Sequence, residues 1–173
     1  MDYKTIKVSL LEKGIMELCL NRPESYNAVN HLMMEELEHF WRERLYDLET
    51  VIVILKGNGD KGFCAGLDMK ESLETAPKMT TEEFYRFQAR LARINLHMRR
   101  APQPIIAAVH GAAAGQGFSF VLSSDIRVIS PDARNGLYYF SFTSAKNAEN
   151  VTIKVYESTE TNSVPADILS AKC

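Results

Sequence analysis

The sequence predicts an α/β fold, and three observations carry that expectation. Segments of strand and helix character alternate from residue 6 to residue 129. Two short runs, Val51-Ile52-Val53-Ile54-Leu55 and Ile105 to Val109, are apolar at every position, as buried strands are. Apolar residues recur at helical spacing in the stretches that precede each of those runs.

Residues 6–20 read as two short strands around a Glu12-Lys13-Gly14 turn, the pattern of a hairpin. Asn30 is placed to cap a helix over about 31–48, with Leu32, Met33, Leu37, Phe40, Trp41, Leu45 and Leu48 on one broad face. The Val51–Leu55 strand follows, then a glycine-rich loop from Gly57 to Asp68. A second long helix should start near Thr80 or Thr81, where Glu82 and Glu83 suit its positive N-terminal end. Its apolar stripe is Phe84, Phe87, Leu91, Ile94 and Met98, and it must end before Pro102 and Pro104. After the Ile105–Val109 strand, a small-residue turn from His110 to Gly117 leads into a short apolar helix ending near Ser124. Asp125 to Ile129 reads as a further strand. Beyond about Arg134 the texture changes to Ser, Thr, Asn and Tyr, with one β-like run, Val151 to Tyr156, and no amphipathic helix.

Composition narrows the function classes. A chain of 173 residues fits one domain with a substantial core, and its 46% hydrophobic content argues against wholesale disorder. With 22 acidic and 20 basic side chains it lacks the clustered basic excess that marks nucleic-acid binders. Cys19, Cys64 and Cys173 show neither a disulfide framework nor zinc spacing, and the four histidines form no HExxH pair, so no metal is expected. The start, Met-Asp-Tyr-Lys, lacks the apolar run of a signal peptide. No stretch approaches the roughly 18 consecutive apolar residues of a membrane span. The expected location is the cytoplasm.

Two tempting motifs lose on their context. Gly57-Asn58-Gly59-Asp60-Lys61-Gly62 fits GxGxxG after a strand, but a dinucleotide site needs a helix to open there. Phe63-Cys64-Ala65-Gly66 follows instead, with another glycine where a helix should settle. Gly117-Phe118-Ser119-Phe120-Val121 lacks the second glycine of a hydrolase elbow, so Ser119 is a poor candidate nucleophile.

Two glycine-rich segments carry more. Gly62 to Lys70 follows the first buried strand, and His110 to Gly117 follows the second. Small residues just beyond a buried strand let backbone approach a ligand closely. Two such loops that present free N–H groups can converge on one oxygen and stabilise negative charge developing on it. Glycines used only for close packing are the alternative for either loop taken alone.

Five motif blocks stand in register. They are Asn21-Arg22-Pro23, Asn27-Ala28, Phe63-Cys64-Ala65-Gly66-Leu67-Asp68, His110-Gly111-Ala112-Ala113-Ala114-Gly115-Gln116-Gly117 and Ser124-Asp125-Ile126-Arg127. In order and spacing they resemble the enoyl-CoA hydratase/isomerase (crotonase) family over residues 1 to about 134. The resemblance implies a ClpP/crotonase-like spiral of strand-strand-helix units. It makes residues 1–134 the core and 135–173 an atypical C-terminal segment, truncated or altered, without the usual C-terminal helical region. A reading-frame change is one origin for such a tail.

The resemblance also implies a ligand and a site. Family members bind coenzyme A thioesters, with coenzyme A as part of the substrate and no prosthetic group, and stabilise an enolate oxygen with two backbone N–H groups. Matching the motifs puts the first donor at Leu67 and the second at Gln116, where many relatives have glycine. Ala65, Asp68, Met69 and Lys70 then line the thioester and pantetheine path, and Ser25 and Tyr26 match the early coenzyme-contacting loop. For Lys70 a solvated surface lysine is the competing reading, as a solvated, dipole-matched helix end is for Arg90, Arg93, Arg99 and Arg100. Relatives often form trimers or hexamers.

One departure limits the chemistry. Hydratases of the family carry a glutamate two residues after the last glycine of the second loop, and here that position is Ser119. A serine hydroxyl does not serve as a carboxylate base near neutral pH, which argues against hydration by two glutamates. Glu149, Glu157 and Glu160 have no flanking pattern that aligns any of them to a catalytic role. The expected function is therefore an acyl-CoA protein of the lyase or isomerase class. A non-catalytic acyl-CoA binder or inactive truncated product is the alternative, and a nucleotide-binding module a distant third.

Overall fold

The computed structural model describes residues 2–131 in full and the backbone of residues 140–142 and 151–153. The chain divides into two compact units, residues 1–136 and 137–173. The second contains β6 (Phe140–Phe142) and β7 (Val151–Ile153), paired antiparallel with Ser141 opposite Thr152. The β-like run at Val151 is thus a strand through Ile153; residues 154–156 lie outside the described residues.

In the first unit, β1 (Ile6–Glu12) and β2 (Ile15–Leu20) form the expected hairpin, with Gly14 in the turn at φ 80°. They open a five-stranded sheet in the order β1-β2-β3-β4-β5, in which β2, β3 (Ile52–Gly57), β4 (Ile105–Val109) and β5 (Ile126–Ile129) run parallel. Helical connections join the parallel neighbours, as parallel pairing requires. They are α1 (His31–Arg44) between β2 and β3, α2 (Met69–Thr75) and α3 (Thr81–Arg100) between β3 and β4, and α4 (Gln116–Ser123) between β4 and β5.

The core lies where α1, α3 and α4 cover the sheet. Met33, Met34, Leu37, Phe40 and Trp41 of α1 are buried with Leu18, Leu20, Val53, Leu55, Ile94, Ile105 and Phe120. Each such side chain contributes on the order of 1.5–3 kcal/mol through burial. One charge sits among them. Glu36, 1% exposed, accepts from the backbone N–H groups of Lys4, Thr5 and Ile6 and from the Thr5 hydroxyl. That carboxylate fastens the N-terminal strand to α1, and no periodicity argument would put it inside.

Three elements depart from expectation. Helix α1 ends at Arg44, four residues early, and Leu48 is 90% exposed. The Asp47 carboxylate accepts from the N–H groups of Glu49 and Thr50 and from the Thr50 hydroxyl, offering the chain a turn that competes with helix. Gln103 then donates to the carbonyls of Arg44 and Asp47 and takes up the helix end. Helix α2 was not foreseen, although Asp68-x-x-Glu71 is a start signal: Asp68 caps the helix by accepting from the Glu71 N–H at 3.2 Å. In α3 the capping box of Thr80 and Glu83 is present, and Leu91, Ile94 and Met98 are buried. Phe84 is 46% exposed, so the stripe packs only in its later turns.

This topology positions the site. Because β3 and β4 are parallel neighbours, both glycine-rich loops leave the same edge of the sheet. Among the described residues, no helix is long and apolar enough to cross a membrane.

Candidate functional site

The two loops close on each other as a short backbone zipper. Phe63 N–H donates to the His110 carbonyl at 2.8 Å, Cys64 N–H to Ala112 at 3.1 Å, and Ala114 N–H to Cys64 at 2.9 Å. Isolated bridges join Gly62 to Gly111 and Cys64 to Ala113. The GxGxxG stretch therefore opens into a paired loop, and helix does not begin until Met69. This removes the helix N-terminus on which the dinucleotide alternative depends.

Two glycines meet at the end of the zipper. Gly66 has φ 98° and Gly115 φ 50°, both in the left-handed region. A Cβ on Gly66 would stand 2.9 Å from the Ala114 carbonyl oxygen and 3.4 Å from the Gln116 nitrogen. The residues that follow them are Leu67 and Gln116. Val29 N–H donates to the Gly66 carbonyl and Asp68 N–H to the Val29 carbonyl, a parallel bridge that turns the Leu67 amide the other way. Gln116 is the first residue of α4, where backbone N–H groups have no intrahelical acceptor and the helix dipole is positive. Neither amide has a hydrogen-bond acceptor among the described residues.

The other expected contacts lie around this point. The Ala65 residue is exposed, and its N–H donates to the Tyr26 carbonyl at 3.0 Å. Ser25 ends a short 3-10 turn, and its carbonyl accepts from Ala28 N–H. Tyr26 is half exposed with φ 54°, and the Lys61 ammonium lies 5.1 Å from its ring centroid. Asp68 pairs with Arg22 at 2.9 Å, and Arg22 also donates to the Ala28 carbonyl. Burial raises the Asp68 carboxyl, but the Arg22 hydrogen bond, the Glu71 N–H and the Arg22 charge outweigh it and hold the group below the usual aspartate range. Met69 and Lys70, in the first turn of α2, are exposed. Arg90 pairs with Glu35 and Glu38, Arg93 with Glu38, and Arg99 with Asp125. Three of the four arginines singled out from the sequence are thus engaged in ion pairs within the unit.

Sequence reading had no role for Asn27 beyond a motif letter. It is fully buried at φ 54° and ties three backbone segments together. Its Oδ1 accepts from Arg22 N–H at 3.0 Å, and its Nδ2 donates to the Asn58 and Gly62 carbonyls, each at 2.9 Å. Asparagine is among the few residues that visit this backbone region readily, which accounts for the residue type.

Beneath the zipper Cys64 is fully buried, its thiol donating to the Asn27 carbonyl. Burial pushes that thiol up to about 12. At pH 8 roughly one such thiol in ten thousand is ionised, and the thiolate is the reactive form. Iodoacetamide is accordingly expected to leave Cys64 unmodified in the folded protein and to modify it after denaturation, as read by peptide mass spectrometry. Labelling at the unfolded rate would contradict the burial.

The Ser119 hydroxyl, at the position where the resemblance implies a glutamate, donates to the Gly115 carbonyl at 3.3 Å. The Gln116 side chain turns toward α3, donating to Asn95 Oδ1 at 3.2 Å. His31 and Glu71 pair at 3.0 Å, with His31 two positions beyond Val29. A groove of about 430 Å³ runs past His31, Phe87, Arg90 and Arg93, and neither Leu67 nor Gln116 lines it. Among the described residues, no cluster of His, Cys, Asp and Glu is placed to hold a metal ion.

Comparison with known proteins finds one family. Residues 15–137 match the model of the enoyl-CoA hydratase/isomerase family. The chain is 36% identical over 129 residues to the short-chain-enoyl-CoA hydratase of Clostridium acetobutylicum, covering 73% of this chain and 48% of that protein. It is 35% identical over 134 residues to the 1,2-epoxyphenylacetyl-CoA isomerase of Escherichia coli, covering 73% and 48%. Crystal structures of enoyl-CoA hydratases from Shewanella pealeana and Bacillus anthracis superpose with TM-scores of 0.70 and 0.66, at 28% and 30% identity. They cover 75% and 73% of this chain and 48% and 47% of theirs. The chain spans about half the length of the curated relatives it matches.

Proposed function

Because the chain belongs to the enoyl-CoA hydratase/isomerase family and has its α/β crotonase fold, we propose that it binds an acyl-CoA thioester and polarises the thioester carbonyl with the Leu67 and Gln116 N–H groups. The observation that carries this reading is the pair of amides at the end of the loop zipper that have no acceptor among the described residues. Unpaired donors held by glycine-shaped backbone need no reorganisation when charge develops on an oxygen between them. The α4 dipole adds to the same effect. Ala65, Asp68, Met69 and Lys70 then flank the thioester and pantetheine, and Ser25 and Tyr26 contact the coenzyme. Residues 1–134 serve as the thioester-binding core, with 135–173 as a segment apart.

Polarisation lowers the barrier to forming an enolate, but a proton must still be moved. The Ser119 hydroxyl already donates to the Gly115 carbonyl and has no carboxylate hydrogen-bond partner among the described residues. This favours, as a second reading, a binder that activates the thioester without completing hydration. Losing general acid–base help costs about 10²–10⁴-fold in rate.

Crotonyl-CoA separates the two. The expected result is saturable binding by calorimetry, a shifted enoyl-thioester absorbance on binding, and hydration at least about 10²-fold slower than a two-glutamate route would give. Full-rate hydration would refute the role assigned to Ser119. Absence of binding by any CoA thioester would overturn the proposal itself.

A further inference from the structure

The Gln116 side chain is not needed for the N–H donor, which any residue but proline supplies, so its own chemistry calls for an explanation. It leaves the same Cα whose amide is proposed to meet the thioester oxygen. Its amide end therefore lies within about 5 Å of that nitrogen, the distance of the third or fourth acyl carbon from the carbonyl oxygen. Gln116 Nε2 donates to Asn95 Oδ1 at 3.2 Å, bridging the start of α4 to the middle of α3. That single bond leaves Gln116 Oε1 and Asn95 Nδ2, an acceptor and a donor, with no partner in the protein among the described residues. Both residues are only partly buried, and neither atom is sealed from solvent. One helical turn along α4, the Ser119 hydroxyl adds another uncharged polar group.

These groups set a preference. A hydrocarbon chain lying across them would displace water and leave an acceptor and a donor unpaired, which is costly. A hydroxyl, which both donates and accepts, would satisfy both, whereas a keto oxygen could accept from Asn95 but would leave Gln116 Oε1 unpaired. A carboxylate would gain hydrogen bonds, but Gln116 and Asn95 bring it no compensating positive charge. On the reading that Leu67 and Gln116 bind a thioester, we propose that Gln116 and Asn95 form a specificity-determining polar clasp that selects acyl-CoA thioesters bearing an uncharged hydroxyl near the fourth acyl carbon. Asn95 is a positioning residue within it, holding the Gln116 amide in the orientation that presents Oε1.

The test compares 4-hydroxybutyryl-CoA with pentanoyl-CoA, which replaces the hydroxyl by a methyl at the same chain length. Calorimetry on the full chain is expected to give roughly tenfold tighter binding of the hydroxy ester, about what one or two well-made neutral hydrogen bonds supply. Asn95→Leu and Gln116→Leu, the second retaining the backbone donor, are each expected to bring that ratio below twofold by tightening the pentanoyl ester and weakening the hydroxy ester. A ratio between two ligands does not respond to a purely structural role, and Gln116→Leu at the first position of a helix serves if Asn95→Leu does not fold. A wild-type ratio within twofold, or a ratio that survives both substitutions, overturns the clasp alone. If wild-type protein binds neither ester, the thioester reading falls and the clasp with it.

Discussion

Replacing Gln116 by proline is expected to abolish the shift of enoyl-thioester absorbance on binding, while Gln116→Ala keeps it. The comparison isolates one hydrogen. Both variants lose the side chain and its bond to Asn95, but only proline also loses the N–H. The position is the first residue of α4, where proline's fixed φ and missing donor are tolerated, so the helix should persist. If the chain turns over its thioester, removal of one such donor is worth roughly 10²–10³ in kcat. Binding through the coenzyme should change far less, because that part of the ligand does not touch the donor. A retained spectral shift in a folded Gln116→Pro variant would mean that the polarising group lies elsewhere.

Asn27→Ala should be the most damaging single truncation near the site, costing about 3–5 kcal/mol. The estimate follows from what is left behind. The Gly62 carbonyl loses its partner in a buried position, and the Arg22 N–H and the Asn58 carbonyl lose theirs in part-buried ones, at about 1–3 kcal/mol for a buried group left unsatisfied and less where water can reach. Alanine also tolerates the φ of 54° less readily than asparagine. Against a typical total stability of about 5–15 kcal/mol this is a large fraction. Urea titration followed by circular dichroism would measure it. A loss under about 1 kcal/mol would show that the loops hold their register without Asn27.

How much of this was legible before the structure depends on how local the cause is. Caps and periodicity are local. Asn30 and Thr80 start their helices where the sequence says, because a side-chain oxygen three residues from an N–H acts within one turn. The buried strands at 52–57 and 105–109 announce themselves by composition. The end of α1 did not, because the competing turn at Asp47 is reinforced by Gln103, 56 residues away along the chain. Glu36 was invisible for the same reason: its partners are backbone groups of Lys4, Thr5 and Ile6, at the entry to β1 and about thirty residues away.

The candidate site divides in the same way. Leu67 and Gln116 were named by the family resemblance of the two loops, while the residues alone marked only two glycine-rich turns able to present free N–H groups. That the zipper leaves both amides without acceptors, that Asn27 locks its register, and that Gln116 reaches across to Asn95 depend on groups brought together from distant parts of the chain. The sequence by itself thus determined the fold class and the identity of the loops, because propensity, capping and hydrophobic period act over a few residues, and its motif blocks carried the family resemblance. Only the tertiary structure decided which backbone donors stay unpaired and which side chains surround them, because a hydrogen bond is satisfied or left open by geometry across the sheet edge.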